Sequence, residues 1–258
     1  MNLYLKFVSI HLKSQMQYKT SFFFTILGQF LVSFTVLLGV YFMMSRFHRI
    51  DGFTFEQVLL CFAVVLMAYS LAECFARGFD MFPQMIRVGD LDRLLVRPRG
   101  IIFQVLAGKV EFSRVGRMVQ AILVFSYAIP ASGVIWTADK IFTLTLMIIC
   151  GMFVFFGLFL IYAAVSVFTI EGIEFMNVLT DGGREFGTYP FSIYGEGILK
   201  VLTYIIPLAL FQYYPFLYLI GVETSPLFMF TPLAGLIFLF PAYGFWRFGL
   251  RKYKSTGS

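Results

Sequence analysis

The sequence predicts an all-α protein that crosses a membrane several times. Hydrophobic residues make up 59% of its 258 residues and charged residues 13%, whereas soluble domains contain roughly 45–50% and about 25%. The mean hydropathy is +0.83, and the apolar residues are gathered into long runs without charges. A soluble domain of this size could not bury so much apolar surface. The composition therefore excludes a disordered chain, a disulfide-stapled domain and a secreted enzyme.

Six apolar runs predict membrane segments, because a helix needs about 20 apolar residues to cross the hydrocarbon core. In chain order they are residues 20–45, 57–72 with an extension to 76, 118–138, 141–170, 201–222 and 224–246. These runs leave no space for a soluble domain. We therefore expect residues 1–258 to form a single transmembrane domain.

An amphipathic helix is predicted for residues 1–19, ahead of the first run. Its apolar side chains recur at helical spacing: Leu5, Val8, Leu12 and Met16. Lys6 and Lys13 share another face. Such a helix is typical of the membrane interface, and the alternative is an ordinary cytosolic extension of the first span.

The distribution of Lys and Arg predicts the orientation of the chain. With the N-terminus inside, 15 of the 20 basic residues lie on the cytoplasmic side. The predicted external loops carry only Arg46, Arg49 and Lys140. The positive-inside rule then places both termini in the cytoplasm.

Residues 171–200 allow two topologies, because they carry five acidic and two basic residues. If residues 201–222 are the fifth span, this stretch is an acidic cytoplasmic loop. Alternatively, residues 170–190 form a polar membrane helix and residues 191–222 a re-entrant external hairpin, broken at Pro207 and Pro215. Both arrangements return the C-terminus to the inside, so the charge count does not separate them.

A short cytoplasmic helix is predicted after the second span. Gly89 interrupts the preceding structure, Asp90 can cap a helix and Asp92 suits its first turn. Pro98 ends the helix and restricts Arg97 to an extended conformation.

This short helix has one apolar face, formed by Leu91, Leu94 and Leu95. A helix of about seven residues is not stable alone in water, where roughly 12–15 residues are already marginal. It therefore needs a surface on which to dock. That surface is either a soluble partner or the protein's own membrane domain, and the pattern favours neither.

Asp181, Arg184 and Glu185 lie three and four residues apart, so they can share one helix face. Within a membrane helix such ionisable groups mark a substrate pathway, whereas in a cytoplasmic loop they are simply solvated. A second charged group, Glu111, Arg114 and Arg117, stands at the base of the third span, where we interpret it as interfacial anchors.

No catalytic motif is evident in the sequence. Gly108 and Lys109 are followed by Val110 rather than by Ser or Thr, so there is no phosphate-binding loop of the GxxxxGK[ST] type. Neither HExxH nor GxSxG occurs, and the three cysteines form no CxxC pair. We therefore predict no catalytic residue, metal or cofactor in this chain.

Three blocks of the sequence resemble permease subunits of type-2 ATP-binding-cassette (ABC) exporters. The first is Gly89-Asp90-Leu91-Asp92-Arg93-Leu94-Leu95-Val96-Arg97-Pro98. The second includes Gly182-Gly183-Arg184-Glu185, Tyr189-Pro190-Phe191-Ser192-Ile193-Tyr194, Ile206-Pro207-Leu208-Ala209 and Tyr214-Pro215, and ends at Gly221. The third is the tail, residues 249–258. The blocks run in order through the chain, and the closest branch is the one partnered with a daunorubicin-resistance-type ATPase.

The resemblance implies a fold and a topology. It implies that residues 1–19 form an interfacial elbow helix, followed by six transmembrane helices. The fifth of these would be residues 170–190, with residues 191–222 as a re-entrant external hairpin before the last span. Residues 77–104 would form the cytoplasmic coupling loop.

The resemblance also implies a function. The helix at residues 90–96 would dock on a cytoplasmic ATPase dimer, which binds the ATP and Mg²⁺. Leu91, Leu94 and Leu95 would supply apolar contacts, and Asp92, Arg93 and Arg97 charged ones. A second permease, identical or different, would complete a pathway that contains these residues: Asp181, Arg184, Glu185, Tyr189 and Pro190.

Such a subunit would export a hydrophobic or amphipathic substrate across a bacterial plasma membrane, without itself being an enzyme. The alternative is an ATP-independent transporter of lipids or small molecules. Inverted repeats with matching broken helices would favour that alternative, and the two halves of the sequence have no convincing internal repeat.

Overall fold

A computed structural model describes residues 3–47, 49–169 and 173–255 of the chain. The helices in these ranges are α1 (Leu3–Gln15), α2 (Lys19–Phe47), α3 (Phe55–Asp80), α4 (Phe82–Arg87), α5 (Asp90–Leu95), α6 (Ile101–Gly108), α7 (Val115–Ala131), α8 (Ala138–Phe168), α9 (Ile173–Phe186), α10 (Glu196–Tyr204), α11 (Leu208–Phe211), α12 (Tyr213–Ile220), α13 (Leu227–Gly235) and α14 (Leu239–Lys252). Short 3₁₀ turns occupy Met16–Tyr18, Phe112–Arg114, Phe191–Tyr194 and Leu236–Phe238. Residue 170 of the fourth predicted span and residues 256–258 of the tail block lie outside the described residues.

Four helical segments in the described ranges are long and apolar enough to cross a membrane: Leu3–Phe47, Phe55–Arg87, Ala138–Phe168 and Leu227–Lys252. A fifth is added if Glu196–Tyr204 and Leu208–Ile220, which meet at an angle of 87°, count as one broken span. Both counts of spans, four and five, rest on the length and composition of the helices. The fold is all-helical and compatible with a polytopic membrane protein.

The boundaries of two predicted spans differ from the structure. The third was expected to reach residue 138, but α7 ends at Ala131 and Gly133 adopts a positive φ of 70°, a conformation that ends helices readily. The run at 201–222 is not one helix. It breaks at Pro207, which lacks the N–H group needed to continue the α10 hydrogen-bond ladder.

The N-terminal helix α1 continues through a 3₁₀ turn into α2, and the combined segment has 45 residues. At 1.5 Å per residue it would be about 68 Å long if straight, more than twice the hydrocarbon thickness of roughly 30 Å. Part of the segment must therefore lie outside the hydrocarbon core. The α1 end is fixed to α6 by the Tyr4 and Phe103 rings, whose centroids are 6.3 Å apart, and by His11 Nε2 at 2.8 Å from the Ala107 carbonyl oxygen.

One end of the bundle, which we call the basic end, gathers α1, α4, α5, α6 and the end of α14. Trp246 near the end of α14 is 1% exposed and packs edge-on against Phe79 and Phe82, with ring centroids 5.4 and 4.7 Å away. The C-terminal ends of α3 and α14 therefore meet beside α4.

The opposite end joins the turns between helices to the broken segment α10–α12. Phe53, in the turn between α2 and α3, lies 5.6 Å from the Phe216 ring of α12. The Tyr218 hydroxyl donates a 2.6 Å hydrogen bond to the Asp139 carboxylate at the start of α8. These contacts place α12 at the end of the bundle away from α5.

Helix α3 lies at the centre of the bundle. In its most apolar stretch 83% of the residues are buried, against 11% in the N-terminal segment and 17% in the last one. The helices α2 and α14 therefore lie at the periphery and present apolar side chains to the surroundings.

The contact between α2 and α7 depends on a glycine. A Cβ atom at Gly116 would lie 2.1 Å from the Ile26 carbonyl oxygen, which is backbone and cannot rotate away. The two helices can approach this closely only because position 116 carries no side chain.

We expect Gly116→Ala to lower the thermal stability of the detergent-solubilised chain, by about 1–3 kcal/mol, because α2 and α7 must move apart. Gly28→Ala on α2 is the matched control, since a Cβ there meets nothing within 4 Å. Equal melting temperatures for both variants would contradict the proposed close contact.

Candidate functional site

The short helix α5 begins directly after a glycine in the left-handed conformation. Gly89 has φ 73° and ψ 9° and takes the N-cap position, where it offers no side-chain oxygen. Asp90 was predicted as the cap, but it is the first helical residue and pairs instead with Arg93 one turn later. The sharp reversal between α4 and α5 requires a positive φ, which glycine adopts without steric cost.

The leucines of α5 do not share one environment. Leu91 is 0% exposed and belongs to the buried cluster that contains Ile86 and Trp246. Leu94 is partly buried against the same cluster, whereas Leu95 is 43% exposed. The helix therefore docks on its own membrane domain through Leu91, and this residue is not available to a partner.

The exposed surface of α5 continues beyond its last turn. Val96 is 84% exposed, and the side chain of Arg93 is 74% exposed. Arg97 and Pro98 are exposed as well. This surface combines apolar and cationic groups, with Leu95 and Val96 at its apolar centre.

Two neighbours hold α5 in place besides the core. The Gln104 side chain of α6 donates hydrogen bonds to the Leu94 and Arg99 carbonyl oxygens, at 2.9 and 2.8 Å. The Ser255 hydroxyl of the tail donates a 2.7 Å hydrogen bond to the Asp92 carboxylate. Burial and the adjacent Asp92 carboxylate raise the pKa of Tyr253. The first and third blocks of the sequence are thus in contact.

The acidic and basic residues of α9 meet a tyrosine of α3. The Tyr69 hydroxyl donates a 2.6 Å hydrogen bond to Asp181, and the Arg184 guanidinium lies 5.2 Å from the centre of the same ring. Arg184 also pairs with Glu185. The predicted trio is therefore assembled on one side of α9, facing α3, although Glu185 remains 46% exposed.

After α9 the chain turns, and Gln212 of the broken segment α10–α12 holds this turn in place. Gln212 is fully buried, and its amide donates to the Tyr189 carbonyl oxygen at 3.0 Å and to that of Gly187 at 3.4 Å. Pro190 is buried at the start of the next 3₁₀ turn. These contacts satisfy backbone groups that leave the helix, as buried carbonyls require.

A buried ion-pair network, which the sequence analysis did not anticipate, is centred on Glu73 of α3. The Glu73 carboxylate is 2% exposed and lies 2.6 Å from Arg117, 3.1 Å from Arg77 and 3.5 Å from Arg114. Arg114 also donates a 2.7 Å hydrogen bond to Gln29 of α2. The network thereby joins α2, α3 and α7. An ionisable residue inside an apolar run was the signal that could have revealed it.

The loop after α6 extends this network to the surface. Glu111 lies 3.0 Å from Lys109 and 3.1 Å from Arg114. Burial opposes ionisation of Glu111, but the Lys109 hydrogen bond and the nearby positive charges outweigh it and lower its pKa. The Glu111 amide also donates to the Cys74 carbonyl oxygen at 3.0 Å. Arg114 and Arg117 are thus not solvated anchors but buried partners of Glu73.

Comparison with known protein families finds one match, to a family described as ABC-2 family transporter protein, over residues 30–257. The chain belongs to the ABC-2 transporter family. Searches of the curated proteins and of the solved structures find no significant match. The ABC-2 assignment makes the chain a transmembrane permease, a transport component of a kind that is generally non-catalytic.

The ABC-2 match includes α5, α9 and Glu73 with its arginine partners, and it leaves α1 and the first turns of α2, with Gln29, outside. The candidate residues of α5 and α9 and the ion pairs of Glu73 therefore lie within the ABC-2 region of the chain.

Removal of the central carboxylate should strongly destabilise this ABC-2 permease. We expect Glu73→Gln to cost about 3–5 kcal/mol of folding stability, because Arg117 would be left buried without its acidic partner and Arg114 would keep only Glu111. Thermal unfolding in detergent measures the change.

The matched control is Glu196→Gln. Glu196 pairs with Lys200 at 3.5 Å, but its side chain is 90% exposed, so the substitution should leave the melting temperature unchanged. A Glu73→Gln protein as stable as this control would show that the network contributes nothing.

Proposed function

We propose that this chain is the permease subunit of an ATP-driven exporter that moves a hydrophobic or amphipathic substrate out of the cytoplasm or the inner leaflet. The family assignment supports the transport role. The observation that carries the proposal is the exposed end of α5, which projects apolar and cationic side chains from the basic end while Leu91 anchors it to the bundle.

The proposed membrane topology has six spans, formed by α2, α3, α7, α8, α9 and α13–α14, with α1 as an interfacial elbow. The basic end faces the cytoplasm, in agreement with the positive-inside rule. The segment α10–α12 is then a re-entrant external hairpin. Its 87° bend and its contacts with Phe53 and Asp139 support this position. Both termini would be cytoplasmic, and the protein would lie in the plasma membrane of a bacterium.

The proposed fifth span is short. Fourteen helical residues in α9 extend about 21 Å, less than the hydrocarbon thickness of roughly 30 Å. Irregular backbone at membrane depth is tolerated where protein buries it. The Gln212 hydrogen bonds to Gly187 and Tyr189 supply that protection, which supports a span that ends in a protein-covered turn.

The proposed contact with the ATPase uses the exposed part of the coupling loop, residues 77–104. Leu95 and Val96 would insert into the ATPase, and Arg93 and Arg97 would fix their register. Leu91, Leu94 and Asp92 would position α5 from behind, since they face the membrane domain, α6 and the tail. The proposed contact surface thus keeps Leu95 and the two arginines of the predicted set, and Val96 takes the place of Leu91 and Leu94.

In the proposed mechanism, ATP and Mg²⁺ bind to the partner ATPase dimer, and its closure displaces α5. Because Leu91 belongs to the buried cluster that also contains Phe79 of α3, displacement of α5 would be transmitted to the central helix. The same helix carries Tyr69, which binds Asp181. Two permeases, identical or different, would rock against each other around a pathway containing Asp181, Arg184, Glu185, Tyr189 and Pro190.

We expect Val96→Asp and Arg93→Glu to abolish both co-purification of the ATPase and its stimulation by the permease, with at least a 10-fold loss of affinity. Loss of a central interface anchor typically costs about 2 kcal/mol or more. Both side chains are exposed, so the membrane domain should keep its melting temperature. Pull-down from native membranes and ATPase assays measure the effects.

Ile135→Asp is the matched control for Val96→Asp, because Ile135 is 79% exposed and lies in the turn between α7 and α8, at the other end of the bundle. It should bind the ATPase normally. Normal transport by the α5 variants would contradict ATPase coupling through this helix and would favour an ATP-independent transporter.

A further inference from the structure

A polar cleft opens at the basic end, between the corner of α1 and α2 and the loop that follows α6. Its volume is about 530 Å³. The side chains that matter for its chemistry are Ser14, Ser21, Thr25, Lys109, Glu111 and Arg114. None of the candidate residues of α5 or α9 lines it, so the cleft is distinct from those two sites, and it shares Glu111 and Arg114 with the edge of the Glu73 network.

The walls of this cleft are held together by hydrogen bonds from α1. The Gln15 side chain donates to the Val110 carbonyl oxygen and accepts a 3.1 Å hydrogen bond from the Phe112 amide. His11 Nε2 lies 2.8 Å from the Ala107 carbonyl oxygen. These contacts fix α1 against the end of α6 and the loop that follows it.

The charged side chains of the lining carry an excess of positive charge. They are Lys109, Arg114 and Glu111, a balance of one positive charge. Glu111 occupies a single N–H group of Lys109, at 3.0 Å, and an ammonium group has three. The Lys109 side chain is 35% exposed, so it can reach a further acceptor in the cleft.

The seam behind the cleft has the same excess. Arg114 and Arg117 are each more than nine-tenths buried, and in the described part of the chain their Nε atoms have no hydrogen-bond partner. The Gln120 amide nitrogen is likewise unpartnered there. Orphaned buried donors are uncommon in native proteins. An anion bound in the cleft beside Arg114 would be attracted by the positive charges of these groups.

The cleft lies where a membrane surface would meet the bundle. Lys19 is the last charged residue before the apolar run 20–45. The cleft extends from Ser14 to Gln29, and Gln29 is about 15 Å further along the helix than Lys19. The aromatic rings of Tyr18 and Phe22 also line the cleft, and Tyr18 is 72% exposed. Polar groups at headgroup depth beside exposed aromatic rings fit an amphiphile better than a free ion.

We propose that this cleft binds the phosphate group of an anionic membrane lipid, with Lys109 and the hydroxyls of Ser14 and Ser21 as donors and the acyl chains against α2. Phosphate oxygens are charged acceptors, which suits a lining with an excess of positive charge. The site goes beyond the exporter role and needs no ATPase. Its lipid would hold the corner of α1 and α2 at the membrane surface.

The test is native mass spectrometry of the full chain in detergent, with phosphatidylglycerol and phosphatidylcholine added in equal amounts. We expect preferential retention of phosphatidylglycerol. Lys109→Gln should reduce this preference about fivefold, as expected for one lysine at a membrane surface. Ser21→Leu, which fills the cleft with an apolar side chain, should reduce it without changing any charge.

Lys19→Gln is the matched control, because this exposed lysine lies at the same corner but does not line the cleft. An equal loss in this variant would show a general charge effect and overturn the site. Equal retention of the two lipids would also overturn it. Displacement of the lipid by millimolar inorganic phosphate would identify a free-phosphate site instead.

The lipid site in the cleft and the exporter role can be disproved independently of each other. Lys109→Gln should leave ATPase association unchanged, because Lys109 is not part of the exposed α5 surface and lines another cleft. If the unaltered chain shows no lipid preference but associates with an ATPase, only the lipid site is disproved. If it shows the lipid preference but no ATPase accompanies it, only the exporter role is disproved.

Discussion

A carboxylate buried in the central helix determines how the basic end of this protein is built. Glu73 lies on α3 with 2% of its side chain exposed, and an unpaired charge there would cost several kcal/mol. Three arginines remove that cost, and two of them come from the loop and helix after α6. The loop must therefore return to α3, which also fixes α7 against α2 at Gly116. The helix packing and the charge pairing thus depend on each other.

The loop after α6, which brings the chain back to α3, also links regions that are remote in sequence. The loop that pairs with Glu73 also accepts a hydrogen bond from Gln15 of α1, and α6 immediately before it holds the end of α5 through Gln104. The tail reaches α5 through Ser255. A force on the exposed end of α5 would therefore act on a connected set of helices rather than on a free loop. This connection is the structural basis of the proposed coupling.

The sequence predicts well those features that depend on local pattern. The long apolar runs correspond to α2, α3 and α8, and Gly89 and Pro98 bracket α5, because length, hydropathy and backbone preference act within a few residues. Features set by tertiary contact were not predictable. Leu91 and Leu95 look equivalent in the pattern, yet only Leu91 belongs to the buried cluster that contains Ile86 and Trp246. Likewise, Arg117 is 44 residues away from Glu73, and no short-range signal pairs these two residues.

The central claim is that an ABC-2 permease of this form works with a separate ATPase. The most direct measurement is gentle purification of the tagged chain from its native membranes, followed by mass spectrometry of the proteins that accompany it. The account predicts a P-loop ATPase, with or without a second permease of similar size. Recovery of the chain alone, in a detergent that preserves a known ABC complex, would contradict it.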